Sequence, residues 1–306
     1  MILRDAIRVD RAANAVFYVS DAFHASIDAV EAWAANPADA AGQNSRELAQ
    51  RLSHKAIAGD GWTFAQYCTL AGWRTAMLEG DAQGAARVAE MRQAVAPALA
   101  APVSAKRKVV RGAQGDYVDP HKVLMGNLGK AWTARKRAIG RAPAPVSILI
   151  PTTSNADAGS DSFFWRAAAG IALAVPMQRA GYRVTIVQCD TVANSYITAS
   201  APRYTFVAHV IARGVTVDVP RVTAAVGAAS LRFLTFAVIG AAPGLHCESG
   251  LGQAVDAPDT ITRLALASGA VRAGDDVLLV PSDIRSQDSA RKWLARTSQA
   301  YAPAAA

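Results

Sequence analysis

The chain has 306 residues, a length that suits one large domain or two of ordinary size, and its 52% of hydrophobic residues is ample for a folded core. Predominant disorder is therefore excluded. The longest uncharged apolar run, between Arg166 and Gln178, is shorter than the ~20 residues that span a bilayer, so no membrane segment is expected.

Charged residues near the start, among them Arg4, Asp5 and Arg8, interrupt the apolar stretch that a secretory signal would need. The three cysteines are odd in number and have no metal-ligand spacing. A disulfide framework and a zinc site are therefore not expected, and a reducing compartment fits best. We predict a soluble, cytoplasmic protein.

The first hundred residues are predicted to be mostly helical. From 21 to 36, Phe23, Ile27 and Val30 fall at helical spacing, and Asp21 can cap the first turn. Further helices are predicted at 46–57, 64–72 and 81–95. Residues 101–111 resemble a solvent-exposed strand or an extended connection, and the segment Tyr117–Pro120 resembles a strand end followed by a helix start.

The net charge of +8 is local. Residues 101–145 contain ten basic residues and two acidic ones, so this segment alone carries +8 and the remainder of the chain sums to zero. Clustered Lys and Arg bind phosphate backbones through counterion release, and Tyr117 and Trp132 can stack on bases. We therefore predict DNA or RNA as a partner; a solvated basic connection is the alternative. The predicted nucleic-acid-binding residues are Lys106, Arg107, Lys108, Arg111, Lys130, Arg135, Lys136 and Arg137.

After Pro143 and Pro145, strands and helices alternate. Strands are predicted at 146–150, 183–189, 203–212, 234–239 and 276–280, and helices at 163–180, 220–231, 258–268 and 286–300. Gly181 is expected to end its helix in the left-handed conformation, and Asp218 is expected to cap the next. The alternation predicts an α/β fold with a mostly parallel, Rossmann-like sheet covered by helices on both faces. The predicted organisation is a helical N-terminal region (1–100), a basic connector (101–145) and an α/β domain (146–306).

The segment AGYRVTIVQ, after a long apolar helix and a short apolar strand, resembles the opening βαβ unit of von Willebrand factor A-like domains. Together with GDYVDPHKVLMG and GWTFAQYCTLAGW upstream, the layout also resembles a family of uncharacterised phage and plasmid proteins. The resemblance implies a von Willebrand A-like domain in residues 146–306 and a phage or mobile-element origin, hence a location in the host cell. Metal-binding members carry Asp-x-Ser-x-Ser after the first strand. Here the stretch 151–156 is PTTSNA, without a carboxylate, so the usual metal site is expected to be absent.

Ligands of parallel sheets gather at the carboxyl ends of the strands, where hydroxyl and acidic side chains follow three predicted strands. One interpretation is a binding rim for a metal or a cationic partner. The other is helix capping and loop solvation. The predicted rim residues are Thr152, Ser154, Asn155, Asp157, Asp190 and Asp283.

Other kinds of site are not supported. The chain has no G-x-G-x-x-G and no P-loop motif after a strand, which excludes a Rossmann cofactor, and no cofactor is predicted. His246 and Cys247 adjoin in a glycine-flanked loop, but no oxyanion loop accompanies them, so no catalytic residue is predicted. The remaining histidines lack ligand spacing, and no metal ligands are predicted. The leading hypothesis is a non-enzymatic binding or scaffold protein that engages a protein partner and nucleic acid. The alternative is a metal-dependent enzyme at the acidic rim.

Overall fold

The structure is a computed structural model. It describes residues 3–36, 70–99, 107–115, 117–137, 144–153, 160–193, 202–226, 230–241 and 253–301. The predicted helix at 46–57 and the predicted rim residues Ser154, Asn155 and Asp157 lie outside these ranges, as do Lys106, His246 and Cys247.

The described residues form strands and helices that alternate through the second half of the chain. The strands are β1 (Ile7–Asp10), β2 (Ala15–Ser20), β3 (Arg107–Gly112), β4 (Tyr117–Val118), β5 (Trp132–Arg137), β6 (Val146–Pro151), β7 (Val184–Ala193), β8 (Tyr204–Arg213), β9 (Gln253–Ala254) and β10 (Asp276–Leu279). The helices are α1 (Phe23–Ala35), α2 (Leu70–Glu79), α3 (Ala82–Leu99), α4 (Pro120–Leu124), α5 (Ser160–Arg179), α6 (Val219–Ala225), α7 (Phe236–Ala241), α8 (Pro258–Ser268) and α9 (Gln287–Ala300). A π-helical turn, Leu231–Thr235, leads directly into α7.

Seven of these strands form one mixed sheet, which we call the main sheet. Its order is β1-β2-β8-β7-β6-β10, and β9 pairs with the end of β7. The pairs β6–β7, β6–β10 and β2–β8 are parallel. The pairs β1–β2, β7–β8 and β7–β9 are antiparallel. The carboxyl ends of β6, β7 and β10 therefore lie together along one side of the main sheet, which we call the carboxyl edge. Their amino ends lie together at the opposite edge.

Helices cover both faces of the main sheet. On one face, α3, α5 and α9 enclose the largest apolar cluster, which includes Ile148, Ile186 and Trp293. Helices α1, α2 and α7 continue this layer over β2 and β8. On the other face, α8 buries Leu264 against Phe17 and Phe206. The predicted α/β class is confirmed, and the sheet is mixed.

Most elements predicted in the second half are present because their end signals are local. Helix α8 begins at Pro258 and ends before Gly269, whose φ of +80° is left-handed. Helix α9 begins after Ser286, which forms a capping box with Ser289. Gly181 has a φ of +95° after α5, and the Asp218 carboxylate accepts a hydrogen bond from the Arg221 N–H, as predicted.

The predicted strand at 234–239 is wrong, because this segment is the π-helical turn followed by α7. The buried residues Leu234, Ala237, Val238 and Ala241 stand at i, i+3, i+4 and i+7, the spacing of one helical face. The uncharged residue types of 234–239 suggest a buried strand, whereas the spacing of the buried residues indicates a helix. The helix predicted from Pro220 is also shorter than expected, since α6 ends at Ala225.

The first twenty residues contain two strands that the helical N-terminal prediction lacked. Chain reversal between them uses Asn14, which has a positive φ of 52°. The Ala13 N–H donates to the Asp10 carboxylate at 3.0 Å within the same turn. Strand β2 then pairs in parallel with β8, so the N-terminal residues are part of the main sheet. The helical character of the whole N-terminal region is not confirmed, although the helix predicted from 21 to 36 is present as α1.

The basic segment contains a second, three-stranded sheet in the order β3-β5-β4, which we call the basic sheet. Asp119 caps α4 by accepting from the His121 and Lys122 N–H groups, and Pro120 occupies the first turn. The strand end and helix start predicted at 117–120 are therefore confirmed. Within the ranges given above, no helix combines the length and the apolar composition needed to cross a bilayer.

Candidate functional site

The basic sheet joins two basic clusters that lie more than twenty positions apart in the sequence. Strands β3 and β5 pair antiparallel, with Arg107 opposite Arg137 and Lys108 opposite Lys136. Arg135 lies opposite a valine one pair further along. Like charges that stand directly opposite one another destabilise an antiparallel pair. The pairing of β3 and β5 thus brings positive charges together at a cost in folding stability.

A row of three residues crosses the basic sheet at its other end. Arg111 on β3 lies opposite Thr133 on β5, and Thr133 lies opposite Tyr117 on β4. Arg111 is exposed, and Tyr117 is 64% exposed. Because strand residues alternate between faces, Arg107, Arg135 and Arg137 belong to the same face as this row. One face therefore carries four arginine positions and an exposed aromatic ring.

The remaining predicted nucleic-acid residues lie nearby in the fold. Lys130 is exposed in the short turn before β5, and Trp132 is half-buried in the first position of β5. Trp132 lies opposite Val118, so it belongs to the face with Lys108 and Lys136. The two aromatic residues predicted to stack on bases are thus on opposite faces.

The predicted sheet rim is partly a buried cluster. Thr152 and Asp190 come together, since the Thr152 hydroxyl donates to the Asp190 carboxylate. Both are almost completely buried. Asp283, by contrast, is exposed. The carboxyl edge of the main sheet therefore brings two of the predicted rim residues into contact and leaves a third in solvent.

Asp190 is surrounded by hydrogen-bond donors. Its carboxylate accepts from the Thr153 hydroxyl at 3.4 Å, from Gln188 Nε2 at 3.3 Å and from the Thr235 hydroxyl. Gln188 Nε2 also lies 3.0 Å from Thr152 Oγ1 and is close to the Ser230 hydroxyl. We call this group of six residues the Asp190 cluster. It links β6, β7 and the π-helical turn.

Burial sets the protonation of the Asp190 cluster. Removal of the carboxylate from water raises the pKa of Asp190 above 3.8, and the hydrogen bonds from Thr152, Thr235, Gln188 and Thr153 oppose that rise. The neighbouring Cys189 points to the other face, within the apolar layer under α8. Burial raises the pKa of its thiol well above 9.0, so it is not an activated nucleophile.

A buried arginine that the sequence prediction missed stands beside this cluster. The Arg166 guanidinium donates from Nη1 to the Thr153 carbonyl at 3.0 Å and from Nε to the Ile284 carbonyl at 3.4 Å. Burial and then the charge of Arg285 lower its pKa, while the carboxylates of Asp256, Asp190 and Asp283 act in the opposite direction. The acidic side chains at this edge therefore face an internal cation.

The other residues that sequence reasoning missed are Gln188, Ser230 and Thr235. Gln188 and Asp190 alternate with apolar residues along β7, and this period of two indicates that both lie on the same face of the strand. Ser230 and Thr235 had no such signal, because their role depends on the π-helical turn that places them against β7.

The described residues give little support to a metal centre. No group of three or more His, Cys, Asp or Glu side chains among them is arranged to hold a metal ion. His209 is buried in β8 with its ring 5.7 Å from that of Tyr18, and burial lowers its pKa to about 3. Asp157, one of the predicted rim residues, is outside the described part of the chain.

Comparison with known proteins gives a family and no function. Neither the curated proteins nor the solved structures contain a match. The family described as a domain of unknown function (DUF7192) matches residues 31–291, which is most of the chain. The predicted phage or plasmid origin and the von Willebrand A-like identity stay predictions. The chain belongs to the DUF7192 family of domains of unknown function.

Proposed function

We propose that this protein is a non-enzymatic nucleic-acid-binding protein and that the arginine-bearing face of the basic sheet is its binding surface. The observation that carries the proposal is the register of β3 and β5, which sets Arg107 opposite Arg137 and places Arg111 and Arg135 on the same face. A polyanion bound along this face offsets the repulsion between like charges on the paired strands.

The exposed row at the end of the basic sheet supports single-stranded nucleic acid as the ligand. Tyr117 offers an open ring on the same face as Arg111, with Thr133 between them. Unpaired bases stack on such rings whatever their sequence, while neighbouring cations follow the backbone. A duplex keeps its bases stacked on one another, so its bases are not open to the Tyr117 ring.

The α/β half then serves as the scaffold that carries the basic sheet. The parallel unit β6–α5–β7 supports the proposed von Willebrand A-like identity. A protein partner for the molecule stays a prediction. The surface that best suits such a partner lies in the basic segment and is apolar. Its residues are exposed to solvent, Leu124 by 85%, Met125 by 72% and Leu128 by 58%.

Labelled single-stranded DNA and RNA, titrated with the full chain and followed by fluorescence anisotropy at several salt concentrations, test the proposal. The Arg135→Gln/Arg137→Gln double variant removes two charges from the Tyr117 face. We expect weaker binding and a shallower salt dependence, by about 0.7 in the slope of log K against log salt for each lost phosphate contact on a single strand.

The matched control is Lys108→Gln/Lys136→Gln, which removes two charges from the opposite face. It is expected to weaken binding less than the arginine pair does. Both double variants relieve a cross-strand repulsion, so neither should lose the fold, and circular dichroism checks this. Equal losses in the two variants contradict the choice of face. The absence of salt-dependent binding to either nucleic acid in the unmodified protein at low salt contradicts the proposed function.

A further inference from the structure

We infer that a second site, at the edge of the main sheet opposite the Asp190 cluster, binds a small phosphorylated molecule. A cavity of about 470 Å³ lies there, between the end of α5, the start of β7 and the connection from β8 to α6, with α3 at its side. Its volume is within the range of small-molecule sites. The site is separate from the basic sheet and does not depend on the function proposed for that sheet.

The walls of the cavity are fixed by hydrogen bonds between the elements that form it. Gln178, near the end of α5, donates from Nε2 to the Val215 carbonyl at 2.7 Å. The Oε1 atom of the same side chain accepts from the Val217 N–H at 3.2 Å. The Gly214 N–H donates to the Val184 carbonyl at 3.2 Å. The connection from β8 is thereby held against α5 and β7, so the cavity is preformed.

Three arginines converge on this cavity from three elements. Arg92 comes from α3, Arg179 from the last turn of α5, and Arg183 from the turn before β7. No acidic residue is among the described residues that line the cavity. None of the three guanidinium groups forms a hydrogen bond, a salt bridge or a stacking contact with a side chain in the described ranges. They are therefore free to bind an anion.

Two sets of negative groups beside the cavity, at the end of α5 and at the start of α6, are already engaged. Carbonyls in the last turn of α5 accept hydrogen bonds from the N–H groups of Ala180, Gly181 and Tyr182. Asp218, which follows Val217 in the chain, pairs with Arg221 at 3.4 Å. The charge of the residues that line the cavity is positive, with three arginines and no acid among those described.

The chemistry of the lining defines the class of ligand. Guanidinium groups form paired hydrogen bonds with phosphate oxygens, and several of them suit a dianionic phosphate monoester. Val175 and Val215 add an apolar surface, and Tyr182 adds an aromatic one. A phosphate attached to an organic group of nucleotide or sugar size uses both kinds of surface. Inorganic phosphate uses the arginines only, so it should bind more weakly.

Isothermal titration of the full chain with inorganic phosphate, adenosine monophosphate, glucose 6-phosphate and adenosine tests the inference. We expect saturable binding of at least one phosphate ester, weaker binding of inorganic phosphate, and none of adenosine. The Arg179→Gln/Arg183→Gln double variant should lose affinity for the ester by about tenfold or more, because it removes two of the three guanidinium groups.

Two controls separate this cavity from other basic surfaces. Arg272→Gln changes an exposed arginine that does not line the cavity and should leave ester affinity unchanged. The Arg135→Gln/Arg137→Gln variant of the basic sheet should also leave it unchanged, so failure here and failure of nucleic-acid binding are distinguishable. The inference is overturned when neither ester binds, when adenosine binds as well as its monophosphate, or when the cavity double variant binds as tightly as the unmodified chain.

Discussion

At the scale of single residues, Asp190 shows how burial converts a predicted binding residue into an internal one. Asp190 is 1% exposed, and its carboxylate accepts hydrogen bonds from Thr152, Thr153, Gln188 and Thr235. An acceptor so fully used by internal donors has little capacity left for an external cation. The alternative hypothesis of a metal-dependent enzyme therefore loses one of its three predicted carboxylates at this position.

The raised pKa of Asp190 predicts a pH dependence of stability. The folded state holds the proton more tightly than the unfolded state, so between 3.8 and the higher folded pKa the folded protein binds more protons. The contribution of Asp190 to stability is therefore fully present below pH 3.8 and is lost as the pH rises through the folded pKa. We expect the free energy of unfolding of the wild type, relative to Asp190→Asn, to fall across that window in urea titrations.

The comparison with Asp190→Asn cancels the titration of all other groups. A second variant, Asp190→Ala, leaves the amide of Gln188 and the surrounding hydroxyls without their common acceptor and should cost roughly 1–3 kcal/mol for each buried group left unsatisfied. For the asparagine comparison, the contradicting result is a free energy of unfolding of the wild type, relative to Asp190→Asn, that rises with pH. It would mean that the hydrogen bonds outweigh burial and hold the charged form.

At the scale of elements, the contact between α5 and β6 depends on the absence of a side chain at Gly170. A Cβ atom there would lie 2.7 Å from Ile150 Cδ1 and 2.8 Å from Ile150 Cγ1. Ile150 is completely buried, so it has no open space into which to rotate. We expect Gly170→Ala to destabilise the protein by about 1–3 kcal/mol through overpacking, even though alanine favours helices. Urea denaturation monitored by circular dichroism measures the change.

The cause of that loss can be checked with a double-mutant cycle. Ile150→Val removes Cδ1, the atom nearest to the added Cβ, and costs roughly 0.5–1.5 kcal/mol by itself. In that background, Gly170→Ala should cost less than in the wild type, because part of the overlap is gone. An unchanged cost would place the strain elsewhere in α5.

The elements also show which parts of the fold were accessible from the sequence. Helices α8 and α9 and the end of α5 were predicted because Pro258, Ser286 and Gly181 act through local backbone chemistry. The short strand β2 was missed, because a buried run of four apolar residues has no periodicity of its own. Its place beside β8 depends on pairing with residues nearly two hundred positions away.

For the basic sheet, the sequence predicts the positive charge but not how the charged residues are arranged. Counting charges was enough to find the basic segment, and Asp119-Pro120 was enough to find the start of α4. That Arg107 faces Arg137 depends on the register of β3 and β5, which no single stretch of sequence specifies. The same limit applies to Arg92 and Arg183, which meet at one cavity only after α3 packs against α5.

At the scale of the whole molecule, the chain closes on itself through its N-terminal strands. Strand β2 pairs with β8 from Ala15 to Ser20, and Phe17 packs edge to face on Phe206 at 6.1 Å. On the opposite face of β2, Tyr18 joins the apolar cluster under α1 and α2. The first twenty residues thus complete the main sheet, whose other strands all follow residue 145.

This closure predicts that the N-terminal strands are required for stability. Phe17→Ala should lower the free energy of unfolding by roughly 3–5 kcal/mol, because it empties a fully buried aromatic site. Val9→Ala, on the edge strand β1 with 48% exposure, should change it by less than about 0.5 kcal/mol. A chain that begins at residue 23 exposes the β8 edge and the apolar faces beneath it, so it should show no cooperative thermal unfolding and should aggregate. Cooperative melting of that shortened chain at the temperature of the full protein would instead mean that the α/β core is complete without β1 and β2.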